Sequence, residues 1–255
     1  MSEPIRAVDR ALDILLCFSR QTPRLTMTQI SDQVGMNKST VHRLLGTLEK
    51  KRFLQRDPST GFYQLGIRLF QMAYLTLEHD GLRQLAAPIL QRLCEHQRET
   101  ITLSVLDDSD VVFLDVVESP QRVKLAASTG QRLPAFATAA GKAMLAYLPK
   151  QTVEKLLGRG MQQFTSRTIH TPDIFFEDLA QIRKQGFAIS EQEYEEEINA
   201  VAAPILDANG QPIAAITVTG PAYRLLRGRM NEIGPSIVTT AREIAQTFEM
   251  KSVTT

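Results

Sequence analysis

Residues 27–50, MTQISDQVGMNKSTVHRLLGTLEK, hold two short helical periods on either side of a glycine. Thr26 stands before them at capping-box spacing from Gln29, so its hydroxyl can take an orphan amide of the first turn. Ile30 and Val34 fall on one face at i, i+4. Gly35 predicts the end of this helix, because glycine adopts the left-handed dihedrals that close a helix C-terminus. Asn37 predicts the cap of the next. A gap of a few residues is the geometry of a helix-turn-helix, whose second helix enters a DNA groove.

The second helix divides by period. Val41, Leu44, Leu45 and Leu48 form an apolar stripe. Ser39, Arg43, Gly46 and Lys50 run down the opposite face. His42 and Thr47 flank it, and Lys38 and Thr40 lie nearer the stripe. Hydroxyls at Ser39 and Thr40, with the free amides of a first turn, suit phosphate oxygens. The forked guanidinium of Arg43 suits guanine O6 and N7, with His42 a lesser candidate. Gly46 costs helix stability, which predicts close backbone approach on that face. A solvated polar face on an ordinary core helix would carry the same residues.

Phe53–Gln55 and Phe62–Leu65 read as strands around the turn-rich Arg56-Asp57-Pro58-Ser59-Thr60-Gly61. A hairpin after a helix-turn-helix makes a winged helix, and Arg52 and Arg56 would face a phosphate backbone. A purely structural cap is the alternative. Residues 4–19 predict an amphipathic helix with Ile5, Val8, Leu12, Leu15 and Leu16 on one side, packing under the helix pair, with Pro4 in its first turn. Ile67 to His79 predicts a helix whose Ile67, Phe70, Tyr74 and Leu77 need burial. The same helix in a second copy, or the chain's own C-terminal part, could supply it. The expected division is a winged DNA-binding domain over 1–65, a linker helix over 66–80 broken at His79-Asp80-Gly81, and a second domain over 81–255.

The chain has 255 residues, 43% hydrophobic and 22% charged, enough for two globular domains. Net charge is +1, but residues 1–80 hold 11 Lys+Arg against 8 Asp+Glu. The basic excess lies with the winged part, clustered at Lys50-Lys51-Arg52. Cys17 and Cys94 lack metal spacing and read as reduced, buried thiols. Met1 to Arg10 has no signal-peptide core, and no apolar run approaches the roughly 18 residues of a membrane span. The expectation is a cytoplasmic protein with no membrane contact.

After residue 81 the periods mix. Leu82–Arg98 predicts a helix with Leu85, Ile89, Leu90 and Leu93 inward. Strands follow at Thr100–Leu106, Val111–Val117 and Val123–Ala127. Helices are expected near Thr138–Tyr147, 151–157 and 173–185, then a strand over Phe187–Ser190. Val201–Leu206 and Pro212–Thr219 flank Asn209-Gly210, a hairpin signal, and a last helix runs from Tyr223 to Glu249. This mixture predicts α+β, an antiparallel sheet covered by helices.

Catalytic chemistry is thin. Gly141-Lys142 lacks the glycine of a phosphate loop, and there is no nucleophile elbow or zinc-protease signature. His42, His79, His96 and His170 are scattered, and Glu195-Glu196-Glu197 reads as a solvated charge run. A small-molecule pocket remains. Ala139, Ala140 and Gly141 open a helix whose bared N-terminus suits a carboxylate. Thr217 and Thr219 share one strand face beside apolar Phe136, Ile198 and Val201. On spacing alone they are equally well ordinary β-branched strand residues.

Four stretches together resemble the IclR-type transcriptional regulators: MTQISDQVGMNKSTVHRLLGTLEK, Gly61–Gly66, LPAFATAAGKAMLAYLP and INAVAAPILDANGQPIAAITVTGP. The resemblance implies an N-terminal all-α winged helix-turn-helix plus a C-terminal α+β (GAF/PAS-like) sensor domain. It also implies a homodimer or dimer of dimers on a double-stranded DNA operator, and a small organic or aromatic carboxylate as effector. The family's pocket positions match Ala139-Ala140-Gly141, Thr217 and Thr219. The chain departs from the pattern at Ser190-Glu191 and at Ala200, where some acid-sensing members carry an acidic residue and a cysteine. The expected protein is a ligand-responsive regulator, a repressor or a dual-acting one, without cofactor or metal. DNA is read by Lys38, Ser39, Thr40, His42, Arg43, Thr47 and Arg56. The effector is held by Phe136, Ala139, Ala140, Gly141, Ser190, Glu191, Ala200, Val201, Thr217 and Thr219. The alternatives are an enzyme turning over a small acid, and a winged helix used only for protein contacts.

Overall fold

The computed structural model describes residues 5–19, 21–78, 81–158 and 160–252. Pro4, His79 and Asp80 lie outside these residues, as do the side chains of Tyr74 and Leu77. The chain divides into two compact units, Met1–Asp80 and Gly81–Thr255.

The first unit runs α1 (Arg6–Leu16), α2 (Met27–Val34), α3 (Lys38–Lys50), β1 (Leu54–Arg56), β2 (Tyr63–Leu65) and α4 (Ile67–Glu78). Its core is Ile14, Leu25, Ile30, Val41, Leu45, Leu48, Leu54 and Tyr63. The α2–α3 pair forms where local signals place it. Thr26 and Gln29 make a reciprocal capping box, Gly35 is left-handed at φ 62°, and Asn37 caps α3. The α1 expectation is corrected. Ile14 is fully buried with Ala11 and Leu15 beside it, whereas Ile5, Val8, Leu12 and Leu16 are 53–80% exposed. Both sets satisfy helical spacing, and periodicity does not say which face the domain covers. In the wing, Arg56 closes β1 opposite Tyr63 instead of entering the turn. Leu25 bonds the free edge of Tyr63, its N–H donating at 3.0 Å and its carbonyl accepting at 2.8 Å. A single bridging residue has no period to read.

The second unit runs α5 (Gly81–Gln97), β3 (Thr100–Asp107), β4 (Asp110–Val117), β5 (Arg132–Pro134), α6 (Ala139–Leu145), α7 (Lys150–Leu157), α8 (Pro172–Gln185), β6 (Ala188–Glu191), β7 (Ile198–Leu206), β8 (Pro212–Pro221) and α9 (Arg227–Ser252). The strands form one antiparallel sheet in the order β5-β4-β3-β8-β7-β6. The strand expected at Val123–Ala127 is coil. The strand that follows β4 is β5, held in register by Arg132, which pairs with Asp107 and Asp110.

Helices cover both faces, so side-chain alternation separates two cores. Ile101, Leu103, Ile189, Val201, Ala203, Ile216 and Val218 point towards α5 and α9. Ala188, Ala202 and Ala215 point towards α6, α7 and α8, with Phe113 and Val111. The small residues on the second face leave room above the sheet, and the candidate pocket lies there.

Candidate functional site

The exposed face of α3 carries Lys38, Ser39, His42, Arg43, Gly46 and Thr47, with Thr40 half-buried. The caps already use some of its donors. The Thr40 amide donates to Asn37 Oδ1 at 2.9 Å and the Ser39 hydroxyl to the same atom at 3.0 Å. The Thr40 amide is therefore not free for a phosphate, contrary to the sequence expectation. Thr47 donates its hydroxyl to the Arg43 carbonyl at 3.0 Å. Arg43 and His42 remain as side chains reaching outward. A Cβ on Gly46 would meet nothing within 4 Å, so this face is open.

A cleft of about 370 Å³ beside α3 is lined by Thr40, Arg43, Leu44 and Thr47 together with Arg6, Ala7 and Arg10 of α1. Arg6 and Arg10 were missed because α1 was read as buried support. Their i, i+4 spacing was the available signal. Arg56 stands 5.7 Å over the Tyr63 ring, which anchors its charge on the wing strand. The wing tip is shaped by Asp57, whose Oδ1 accepts from the Ser59 amide at 2.8 Å, the Ser59 hydroxyl at 2.6 Å and the Thr60 amide at 3.2 Å.

In the second unit a cavity of about 100 Å³ lies between the sheet and α6. Register builds its floor. Thr219 pairs with Ala200, and Ala200 with Ser190, giving one row. Thr102 pairs with Thr217, giving the next. The roof is Ala137 to Ala140 at the start of α6, where Thr138 Oγ1 accepts from the Gly141 amide at 3.2 Å. The amides of Ala139 and Ala140, in the first turn, have no carbonyl within the helix to meet. Phe113, Leu125, Leu133 and Ile198 make apolar walls, and Tyr194 and Glu195 stand on the outer side. No Lys, Arg or His lines the cavity among the described residues. Thr217, 4% exposed, has its Oγ1 buried without a hydrogen-bond partner. Such an atom costs about 1–3 kcal/mol until something fills it.

The structure thus gathers Ala139, Ala140, Ser190, Ala200, Thr217 and Thr219 around one space. It does not bring the other four expected residues there. Val201 points into the α5/α9 core and Glu191 pairs with Arg227 at 2.7 Å, each one residue away from a pocket-facing neighbour. Gly141 is packed on Ala135, leaving no space for a Cβ. Phe136 lines a separate cavity of about 420 Å³ with Leu145, Met161 and Phe164. Thr102, Tyr194 and Glu195 were missed, because only cross-strand register reveals the first and the other two lie in an irregular connection. Among the described residues no helix is long and apolar enough to cross a membrane, and no group of His, Cys, Asp and Glu is placed to hold a metal.

Comparison with known proteins gives a consistent picture. Residues 7–58 match the model of the IclR helix-turn-helix domain, and residues 74–246 that of the bacterial transcriptional regulator IclR C-terminal domain. The transcriptional repressor IclR of Escherichia coli (strain K12) is 32% identical over 247 residues, covering 96% of this chain and 90% of that protein. An IclR transcriptional regulator from Alicyclobacillus acidocaldarius superposes with a TM-score of 0.84 at 25% identity, covering 96% and 99% of the two chains. An IclR homologue from Microbacterium hydrocarbonoxydans, solved with 4-hydroxybenzoate, shares the fold with a TM-score of 0.82 at 24% identity over 94% and 99%.

Proposed function

The chain belongs to the IclR family of bacterial transcriptional regulators, and from that premise we propose that it is an operator-binding repressor released or tightened by a small carboxylic acid. In this reading α3 lies in the major groove. Arg43 reads a base edge, and His42 and Lys38 contact the neighbouring backbone. Arg6 and Arg10 hold phosphates on the side of α1, and Arg56 does so from the wing. The protein works where the DNA is, in the cytoplasm. The exposed stripe of α1, with exposed Ile67, Phe70 and Met72 of α4, is assigned to a second copy of the chain, since readers of this kind pair to match two half-sites.

The observation that carries the ligand half is the unpartnered, buried Thr217 hydroxyl in a pocket floored by Thr102, Ser190 and Thr219. A carboxylate held there takes neutral donors: hydroxyls from the sheet and first-turn amides of α6. Its apolar body rests on Phe113, Leu125, Leu133 and Ile198. The fold neighbour with 4-hydroxybenzoate makes aromatic acids the first class to try. A ligand acts only by binding the two operator-affinity states differently.

Each half has its own test. Arg43→Ala should weaken binding to the chain's operator by roughly 1–3 kcal/mol while leaving non-specific binding in place. In a thermal-shift screen of small aliphatic and aromatic acids, a binder should raise the melting temperature in proportion to dose. Thr217→Val/Thr219→Val should abolish that rise with operator affinity intact. Unchanged operator binding in the first variant overturns the DNA assignment, and an undiminished shift in the second overturns the pocket.

A further inference from the structure

Among the described residues one of the largest fully buried side chains is not apolar. It is Lys142, 1% exposed. Its Nζ stands 2.6 Å from Glu193 Oε1 and 2.9 Å from Asp178 Oδ2. Three elements meet at this ammonium: α6, α8 and the connection between β6 and β7. Glu193 Oε2 is buried with no hydrogen-bond partner, so the cluster is only partly satisfied. Burial pushes the Glu193 carboxyl above its ordinary range, while Lys142 pulls it down. Apolar residues of similar size in such a place are often as stabilising as the ions they replace. Stability alone is a poor account of a buried lysine here.

Its position relative to the pocket is the better account. The connection Gln192–Glu197 begins and ends on left-handed residues that are not glycine, Gln192 at φ 60° and Glu197 at φ 64°. Between these two strained points lie Tyr194 and Glu195, which form the outer side of the ligand cavity. The Gln192 and Glu193 carbonyls accept from the Thr165 and Thr168 hydroxyls, each at 2.6 Å, and the Tyr194 ring lies 5.0 Å from Phe164. Those contacts tie the connection to another irregular stretch. The link that reaches a helix is Glu193 to Lys142. That helix, α6, is the one that turns Ala139 and Ala140 to the cavity one turn earlier.

We propose that Lys142 is a positioning residue for the pocket: it clasps Glu193 and Asp178, and so holds the Gln192–Glu197 connection closed as the pocket's outer wall, in fixed relation to the amides of α6. The assignment rests on the cavity being the effector site. In it, Glu193 is the matching half of the clasp, and Tyr194 and Glu195 are what the clasp places against the ligand.

Hydrogen exchange of the full-length chain, read by mass spectrometry without ligand, tests it. In Lys142→Met the amides of residues 192–198 should exchange at least about tenfold faster, with those of β3 and β8 unchanged. Glu193→Gln, which keeps size and a hydrogen-bonding oxygen, should show a smaller rise in the same segment. It carries the test alone if Lys142→Met does not fold. Unaltered exchange over 192–198, or acceleration spread evenly through the second unit, would overturn the clasp. The measurement needs no effector, so failure of the pocket reading appears separately, as an absence of any dose-dependent hit in the thermal-shift screen.

Discussion

At the scale of single residues, two positions give sharp expectations. Asp57 accepts from the Ser59 hydroxyl and amide and the Thr60 amide, which hold its carboxyl down from 3.8 to about 2. A carboxylate with a lowered folded pKa favours the ordered turn above its unfolded value and loses that preference as pH falls through the folded one. The wing tip should therefore keep its shape at pH 4 and loosen only between 3.8 and about 2. The amide shifts of Ser59 and Thr60, followed by NMR, should titrate near the lower end, and a midpoint near 3.8 would mean the turn is not held this way. Gly141 and Gly46 make a contrasting pair. A Cβ on Gly141 would run into the Ala135 backbone, whereas one on Gly46 meets open space. Gly141→Ala should cost roughly 1–3 kcal/mol, as overpacking does. Gly46→Ala should add about 0.5–1 kcal/mol to the first unit, the ordinary helix preference. Chemical denaturation distinguishes the two, and a loss in both would show that α3 is less free than it looks.

Among elements, legibility followed the range of the deciding interaction. α2 and α3 were readable to the residue at their starts because their caps, Thr26 with Gln29 and Asn37 with Thr40, are local. The face of α1 was not readable, since two apolar sets share one helix and only the assembled domain chooses between them. Glu191 and Val201 were misplaced by a single residue each. Strand parity turns such an error into the wrong side of the sheet, and nothing local sets the register of β6 on β7. Thr217 and Thr219 were legible as a same-face pair, while Thr102 became visible only through β3 pairing with β8. The α1 stripe yields its own expectation. Val8→Glu with Leu12→Glu places charge in the proposed seam between copies. Binding to an operator with two half-sites should then weaken on the order of tenfold or more, as paired engagement is lost, while binding to one half-site stays as it was. Equal affinities before and after would remove α1 from the seam.

For the molecule as a whole, the order of helix-turn-helix, wing, linking helix and helix-covered sheet was legible because each change of period is a long signal. What escaped was how the irregular stretches close over the sheet, as at Tyr194 and Glu195, and how a buried lysine of α6, Lys142, meets one of them. The two-faced sheet has one more consequence. On β8, Ile216 and Val218 belong to the α5/α9 core, and Thr217 and Thr219, alternating with them, face the cavity that we propose for the effector. Chemical recognition and structural integrity are thus written on alternate letters of the same strand. In the proposed reading, a lineage, or a laboratory building a biosensor, can exchange Thr102, Ser190, Ala200, Thr217 and Thr219 to suit a new effector without rewriting the letters that keep the domain folded.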